Sequence, residues 1–93
     1  MLHIEPRHLE IVTKILEKYP HRFYAFGSRV TGENQPLSDL DLCIMEHVPS
    51  QVKSQLAEDF EESNLPFKVD LILWAEIDDD FKALIRDDLE LVQ

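Results

Sequence analysis

An alternation of acidic and aliphatic residues with a period of two is the feature that most constrains the fold of this chain. Asp39 and Asp41 alternate with Leu40, Leu42 and Ile44. On a β-strand, this period sends both aspartates to one face and the three aliphatic residues to the other. We therefore predict a strand with one face in the core and two carboxylates side by side on the opposite face.

A tight corner is predicted shortly before this strand. Residues Arg22–Phe26 are rich in aromatic residues and end at Gly27, which is typical of a buried strand running into a turn. A glycine lets backbone N–H groups approach a ligand closely, and Ser28 is a favourable N-cap with which to open a short helix. The free amides at that helix end would face an anion. The corner therefore suits a triphosphate.

Two adjacent carboxylates repel each other at neutral pH and need a counter-charge. Mg²⁺, a hard cation with oxygen ligands, is the usual one where phosphates are near. A third carboxylate would complete a two-metal site, and Asp70 is the candidate because it interrupts the β-forming run Phe67–Trp74. Lys68, on the same face, is the alternative partner for this charge. Trp74 also falls on that face, and we assign it to the core.

The spacing of these residues resembles a known family. A Gly-Ser pair, ten intervening residues and an Asp-x-Asp are the signature of the polymerase-beta-like nucleotidyltransferase superfamily, and Gly27-Ser28 with Asp39-Leu40-Asp41 fits it without a gap. The surrounding Gly-Ser-Arg-x-x-Gly and Ser-Asp-x-Asp-Leu are similar to the minimal nucleotidyltransferase (MNT) subgroup. An Asx-rich turn with solvated aspartates is the alternative interpretation, but it leaves the Gly-Ser corner unexplained.

The resemblance implies an enzyme that transfers NMP from a nucleoside triphosphate and releases pyrophosphate. It implies two Mg²⁺ ions as cofactors and ATP as substrate, with the third aspartate beside the acceptor hydroxyl. The implied catalytic and metal-binding residues are Asp39, Asp41 and Asp70, and the implied nucleotide-binding residues are Gly27, Ser28 and Arg29.

Stand-alone MNT proteins resemble the antitoxins of HEPN/MNT toxin–antitoxin pairs. The resemblance therefore implies a HEPN-type toxin as partner, an RNase silenced when AMP is transferred from ATP to one of its tyrosines. Two alternatives stay open. One is a small-molecule nucleotidyltransferase that needs a partner subunit for its acceptor pocket, and the other is a non-catalytic antitoxin that neutralises by binding alone.

Size and charge limit the other functions open to the chain. Ninety-three residues predict one small domain, residues 1–93, without a separate substrate-binding domain, so a partner is expected. Nine basic residues stand against nineteen acidic ones, and this balance disfavours direct nucleic-acid binding. The single cysteine, Cys43, is predicted to be a core residue. With no leader or membrane span recognisable in the sequence, we expect a cytoplasmic protein.

The fold predicted is a single α/β (α+β) domain of the polymerase-beta-like nucleotidyltransferase type. The resemblance implies a mixed sheet, with helices mainly on one face and the carboxylates on the more open face. Asp78, Asp79 and Asp80 are predicted to lie at the start of the last helix as capping residues rather than to bind metal. The acidic outer face of the second long helix is either a docking surface or a solvated face. The predicted elements are a helix over residues 6–18, strands over 23–26, 39–46 and 67–74, a short helix ending near Gly32, a helix from residue 50 to 63, a last helix whose first turn holds residues 78–80, and an edge strand over 89–92.

Overall fold

A computed structural model describes residues 2–93, which form a four-stranded sheet and four α-helices. Two further turns of 3-10 helix cover Trp74–Glu76 and Arg86–Asp88. The elements in chain order are α1 (Pro6–Leu16), β1 (Phe23–Phe26), α2 (Ser28–Thr31), β2 (Leu40–Ile44), α3 (Ser50–Glu61), β3 (Val69–Leu73), α4 (Asp79–Ile85) and β4 (Glu90–Leu91).

The sheet is mixed, as predicted, and its strands lie in the order β3-β2-β1-β4. β2 and β3 are parallel because α3 carries the chain back between them, whereas β1 runs antiparallel to β2 and to β4. The end of β1 therefore lies beside the beginnings of β2 and β3. This arrangement brings the corner at Gly27 next to the acidic strand.

The two faces of the sheet are covered unequally. Leu40, Leu42 and Ile44 of β2 are fully buried in the larger core, which α1 and α3 complete. Cys43 is buried on the opposite face in a smaller cluster, where Ile85 of α4 packs. Two predictions are therefore confirmed: the residues of β2 alternate between the two faces, and the helices pack mainly on one face of the sheet.

Several predicted ends differ from the observed ones by one or two residues. α1 ends at Leu16 rather than at residue 18 because Lys18 and Tyr19 make shorter-range turns to the carbonyls of Ile15 and Leu16. β3 begins after Phe67, whose ring lies 8% exposed in the larger core, and ends where a 3-10 turn starts at Trp74. β2 is likewise shorter, since it begins at Leu40.

The last helix begins as predicted. The Asp78 side chain accepts a hydrogen bond from the Phe81 N–H at 2.8 Å, which satisfies one of the free amides in the first turn. The following strand pairs with β1 at the edge of the sheet through Glu90 and Leu91. No helix in residues 2–93 combines the length and the apolar character needed to cross a bilayer.

One polar cluster fastens the end of α1 to α3. The Tyr19 hydroxyl donates to Asp59 Oδ2 at 2.6 Å, and Lys18 Nζ lies 3.1 Å from the same oxygen. Gln55 Nε2 donates to the other oxygen of Asp59 at 3.1 Å. Burial and the neighbouring Asp59 raise the pKa of Tyr19 to about 12, so the phenol remains a donor at neutral pH.

Replacing Tyr19 by Phe should lower the free energy of unfolding by about 1–2 kcal/mol, because a hydrogen bond to a charged acceptor is lost. Urea denaturation at pH 7 measures the change. Lys18→Met is the control: it removes an exposed ion pair and should cost less than about 1 kcal/mol. Equal stabilities of Tyr19→Phe and the wild type would contradict the role given to this hydroxyl.

Candidate active site

The corner after β1 is shaped by Gly27. Its φ of 80° and ψ of −155° lie in a region that side chains disfavour. A Cβ on this residue would stand 2.5 Å from Asp41 Oδ2. The amides of Val30 and Thr31 donate to the Gly27 carbonyl at 3.0 and 3.1 Å, which closes the single turn of α2. Glycine is therefore required here both by the backbone and by the neighbouring carboxylate.

Ser28 is the first residue of α2 rather than its predicted N-cap, because Gly27 occupies the cap position and no side chain of residues 2–93 caps the helix. Ser28 is half-buried. The first amides of a helix have no partner within the helix, so they are available to an anion beside the corner. The helix ends after one turn at Gly32, whose φ of 90° is left-handed. Corner and turn together form a compact bend at the end of β1.

The structure brings the three predicted aspartates to one region of the sheet. Asp41 on β2 pairs with Asp70 on β3 and with Phe26 on β1. Paired residues of neighbouring strands point to the same face, so both carboxylates emerge together beside Gly27. Asp39 lies just before β2 and is exposed, as is Asp70, whereas Asp41 is half-buried.

The charges of these carboxylates act on one another. Burial raises the pKa of Asp41 to about 6, and the neighbouring charges of Asp70 and Asp39 add to the effect. Among residues 2–93 no ion pair joins Asp70 to Lys68, the alternative partner considered from the sequence. Within residues 2–93, the three carboxylates thus make no ion pair with a basic side chain.

Oxygen donors of this kind fit a hard divalent cation such as Mg²⁺. The aspartates that could hold it are Asp39, Asp41 and Asp70, which come from two neighbouring strands and the loop before one of them. Within residues 2–93, no three acidic, histidine or cysteine side chains are already drawn together as a formed metal centre. The side chains offer the right donor chemistry rather than a closed cage.

Arg29 differs from its predicted place beside the phosphates. It is 3% exposed, and its guanidinium points into the protein. Nε donates to the Ser38 carbonyl at 3.0 Å, Nη1 to that of His3 at 3.0 Å and Nη2 to that of Pro36 at 3.1 Å. The group also lies 4.1 Å from the centre of the Phe67 ring. Its donors are used by the protein itself, so this geometry does not support a phosphate contact.

Arg29 instead connects the segments that carry the site. It belongs to the helix after Gly27, it holds the loop that leads to Asp39, and it packs on Phe67 three residues before Asp70. Arg29 contacts three backbone carbonyls and one aromatic ring. Because every residue has a backbone carbonyl, no sequence pattern shows which ones Arg29 will contact. Sequence reasoning therefore identified the arginine but missed its surroundings.

Family comparison agrees with the site. Residues 7–92 match the family described as "Nucleotidyltransferase domain", so the chain belongs to the nucleotidyltransferase family and is an enzyme of that class. Among curated proteins, the probable protein adenylyltransferase MntA of Haemophilus influenzae is 42% identical over 89 residues, which cover 91% of this chain and 78% of that protein.

A solved structure has the same fold. It is described as the crystal structure of the toxin-antitoxin with AMP-PNP, and it superposes with a TM-score of 0.71 at 20% identity. The match covers 91% of this chain and 72% of the other. The polymerase-beta-like nucleotidyltransferase fold predicted from the Gly-Ser and Asp-x-Asp spacing is confirmed.

Replacing Arg29 by Lys should lower the free energy of unfolding by about 2–4 kcal/mol, because an ammonium cannot serve three carbonyls in one plane while stacking on a ring. Urea denaturation measures the loss. Arg86→Lys is the matched control at an exposed position and should stay within about 0.5 kcal/mol of the wild type. If Arg29→Lys had the same free energy of unfolding as the wild type, the guanidinium would not have the stabilising role given to it here.

The raised pKa of Asp41 predicts a particular pH dependence of stability in metal-free buffer. Folding moves this pKa from an ordinary 3.8 to about 6. Between these values the folded chain keeps a proton that the unfolded chain has released, so the Asp41 contribution to stability falls as pH rises and levels off above about 6. Asp41→Asn removes this titration.

The measurement is the free energy of unfolding of both proteins in urea and EDTA at about pH 4.5 and about pH 7. We expect the stability of Asp41→Asn relative to the wild type to be higher at pH 7 than at pH 4.5. Asp79→Asn, at an exposed position on α4, is the control and should follow the wild type at both values. Parallel curves for Asp41→Asn and the wild type would contradict the shifted pKa.

Proposed function

We propose that this chain is a Mg²⁺-dependent adenylyltransferase that transfers AMP from ATP to a tyrosine hydroxyl of a HEPN-type RNase toxin and so acts as its antitoxin. The observation that carries the proposal is the pairing of Asp41 with Asp70 on neighbouring strands, directly beside the corner at Gly27 that follows β1. Asp39 lies two residues before Asp41. An anion-accepting corner and a cluster of carboxylates stand side by side, as nucleotidyl transfer requires.

The relatives support the finer parts of the proposal. The curated protein of 42% identity is named a probable protein adenylyltransferase, which favours ATP as donor and a protein as acceptor. The solved structure is a toxin-antitoxin with AMP-PNP, an ATP analogue, which favours a toxin as partner. The HEPN type of the toxin and the tyrosine acceptor come from the resemblance to stand-alone MNT proteins. A cytoplasmic location and a single domain over residues 1–93 belong to the same proposal.

Each residue of the site has a separate task in the reaction. Gly27 leaves room for the phosphates against the backbone, and the amides at the start of α2, with the Ser28 hydroxyl, donate hydrogen bonds to them. Asp39, Asp41 and Asp70 would hold two Mg²⁺ ions. When bound, Mg²⁺ neutralises the triphosphate and lowers the pKa of the acceptor hydroxyl. Arg29, first assigned to the phosphates, keeps the loop before Asp39 in place.

The reaction is a substitution at the α-phosphorus of ATP. The acceptor oxygen forms a new bond to this phosphorus as the bridging bond to the β-phosphate breaks, and pyrophosphate leaves. Asp70, exposed on the outer strand, takes the proton of the hydroxyl. The amides at the Gly27 corner hold the leaving phosphates. AMP-tyrosine and pyrophosphate are the products.

The proposal is tested by incubating the chain with Mg²⁺, ATP labelled at the α-phosphate and the protein encoded by the neighbouring open reading frame. The wild type should label that protein on tyrosine. Asp39→Asn with Asp41→Asn should lower labelling by more than about 100-fold, because the carboxylates that bind the cation are lost. Mass spectrometry of the acceptor for added AMP measures the result.

The matched control is Asp79→Asn with Asp80→Asn, which removes the same charge from an exposed part of α4 and should leave labelling unchanged. Labelling that persists in the Asp39 and Asp41 variant would refute the metal assignment. Neutralisation of the toxin without any labelling would identify an antitoxin that acts by binding alone. Labelling of a small molecule instead of the protein would identify the other alternative.

A further inference from the structure

A cleft of about 720 Å³ opens beside the acidic cluster, between the end of α3 and the segment that leads into β3. Asp39 and Asp70 line it, but Gly27, Ser28 and Asp41 do not. The cleft therefore reaches the carboxylates from the side away from the corner. Its volume is within the usual range of about 300–1,000 Å³ for sites that enclose small molecules or side chains.

We propose that this cleft receives the acceptor, a tyrosine side chain carried by a protein segment with basic residues beside it. The inference rests on the proposed function and adds the surface that recognises the acceptor. In phosphoryl and nucleotidyl transfer the attacking and leaving oxygens lie roughly in line, on opposite sides of the phosphorus. With the leaving phosphates at Gly27 and Ser28, the acceptor must approach from the side of Asp39 and Asp70.

The walls of the cleft suit an aromatic ring. Leu65 and Pro66 line it beside the largely buried Phe67, and Leu37 is its most exposed large apolar lining residue. The Leu37 side chain is 68% exposed, which makes it one of the most exposed large apolar residues in the described part of the chain. A phenol lying between these groups would gain apolar contact along its ring while its hydroxyl points to the carboxylates.

The rim of the cleft is acidic. Glu61, at the end of α3, lines it, and Glu58, one turn earlier, and Glu62, directly after the helix, are both exposed. Lys68 is the one basic residue that lines the cleft among residues 2–93. The chain as a whole carries a net charge of −10. Charge complementarity therefore favours an acceptor segment that carries lysine or arginine next to its tyrosine.

The test compares two double variants. Leu37→Ser with Glu61→Lys alters the lining and rim of the cleft without touching the aspartates. Leu84→Ser with Asp87→Lys makes the same chemical changes at exposed positions on α4 and just after it, outside the cleft. Three quantities are measured for each protein: the Kd of ATP with Mg²⁺ by calorimetry, the slow hydrolysis of ATP to AMP and pyrophosphate, and the KM of the protein acceptor for AMP transfer.

We expect the cleft variant to raise the acceptor KM by at least about 10-fold, with the Kd of ATP and the hydrolysis rate unchanged. The acceptor KM should also rise with salt in the wild type and less steeply in the cleft variant, because Glu61 no longer attracts the basic segment. The control variant should match the wild type in all three quantities.

Other results overturn the inference in distinguishable ways. An unchanged acceptor KM in the cleft variant, with the partner still labelled, places the acceptor elsewhere. A weaker Kd for ATP in that variant means that the nucleotide base occupies the cleft instead. If the control variant loses as much AMP transfer as the cleft variant, the effect is not specific to the cleft and the inference fails. A wild type that labels no protein overturns the proposed function itself, and the cleft assignment with it.

Discussion

The pairing of Asp41 with Asp70 is the constraint on which the site depends. Like charges directly opposite each other oppose the pairing of two strands. The pair is held by the other face of the same strands, where Leu40, Leu42 and Ile44 are fully buried. A shift of β2 by one residue would turn these aliphatic residues outward and bury the aspartates. The buried aliphatic face therefore keeps the two carboxylates next to each other despite their repulsion. A cation bound to the carboxylates would relieve this repulsion.

A second support lies behind the site, where a charge is buried. Burial lowers the pKa of Arg29, which reflects the cost of removing a guanidinium from water. Three carbonyls and the Phe67 ring offset that cost, and each belongs to a segment close to the corner or to an aspartate. The buried guanidinium of Arg29 thus helps to hold the segments that carry the three aspartates.

The parts of the fold that follow from local patterns could be predicted from the sequence. Phe23–Phe26, the alternation around Asp41 and the cap at Asp78 depend on a few neighbouring residues, and the structure has them where the patterns put them. The docking of the C-terminal residue on the end of α1 depends instead on residues far apart in the sequence, since the Gln93 side chain donates to the Leu16 carbonyl at 2.7 Å. The direction of the Arg29 side chain likewise depends on carbonyls far along the chain. Contacts between residues far apart in the sequence produce no periodic pattern from which they could be predicted.

Exposure separates the three aspartates in a way that fits their proposed tasks. Asp41 stands on a central strand, half-buried and against Gly27, where a ligand oxygen must stay still. Asp70 stands on β3, at an edge of the sheet formed by residues 2–93, and is exposed. A macromolecular acceptor can reach an edge strand but not a central one. The same topology that forces the carboxylates together therefore leaves Asp70, like Asp39 before β2, exposed on the side where the acidic cleft begins.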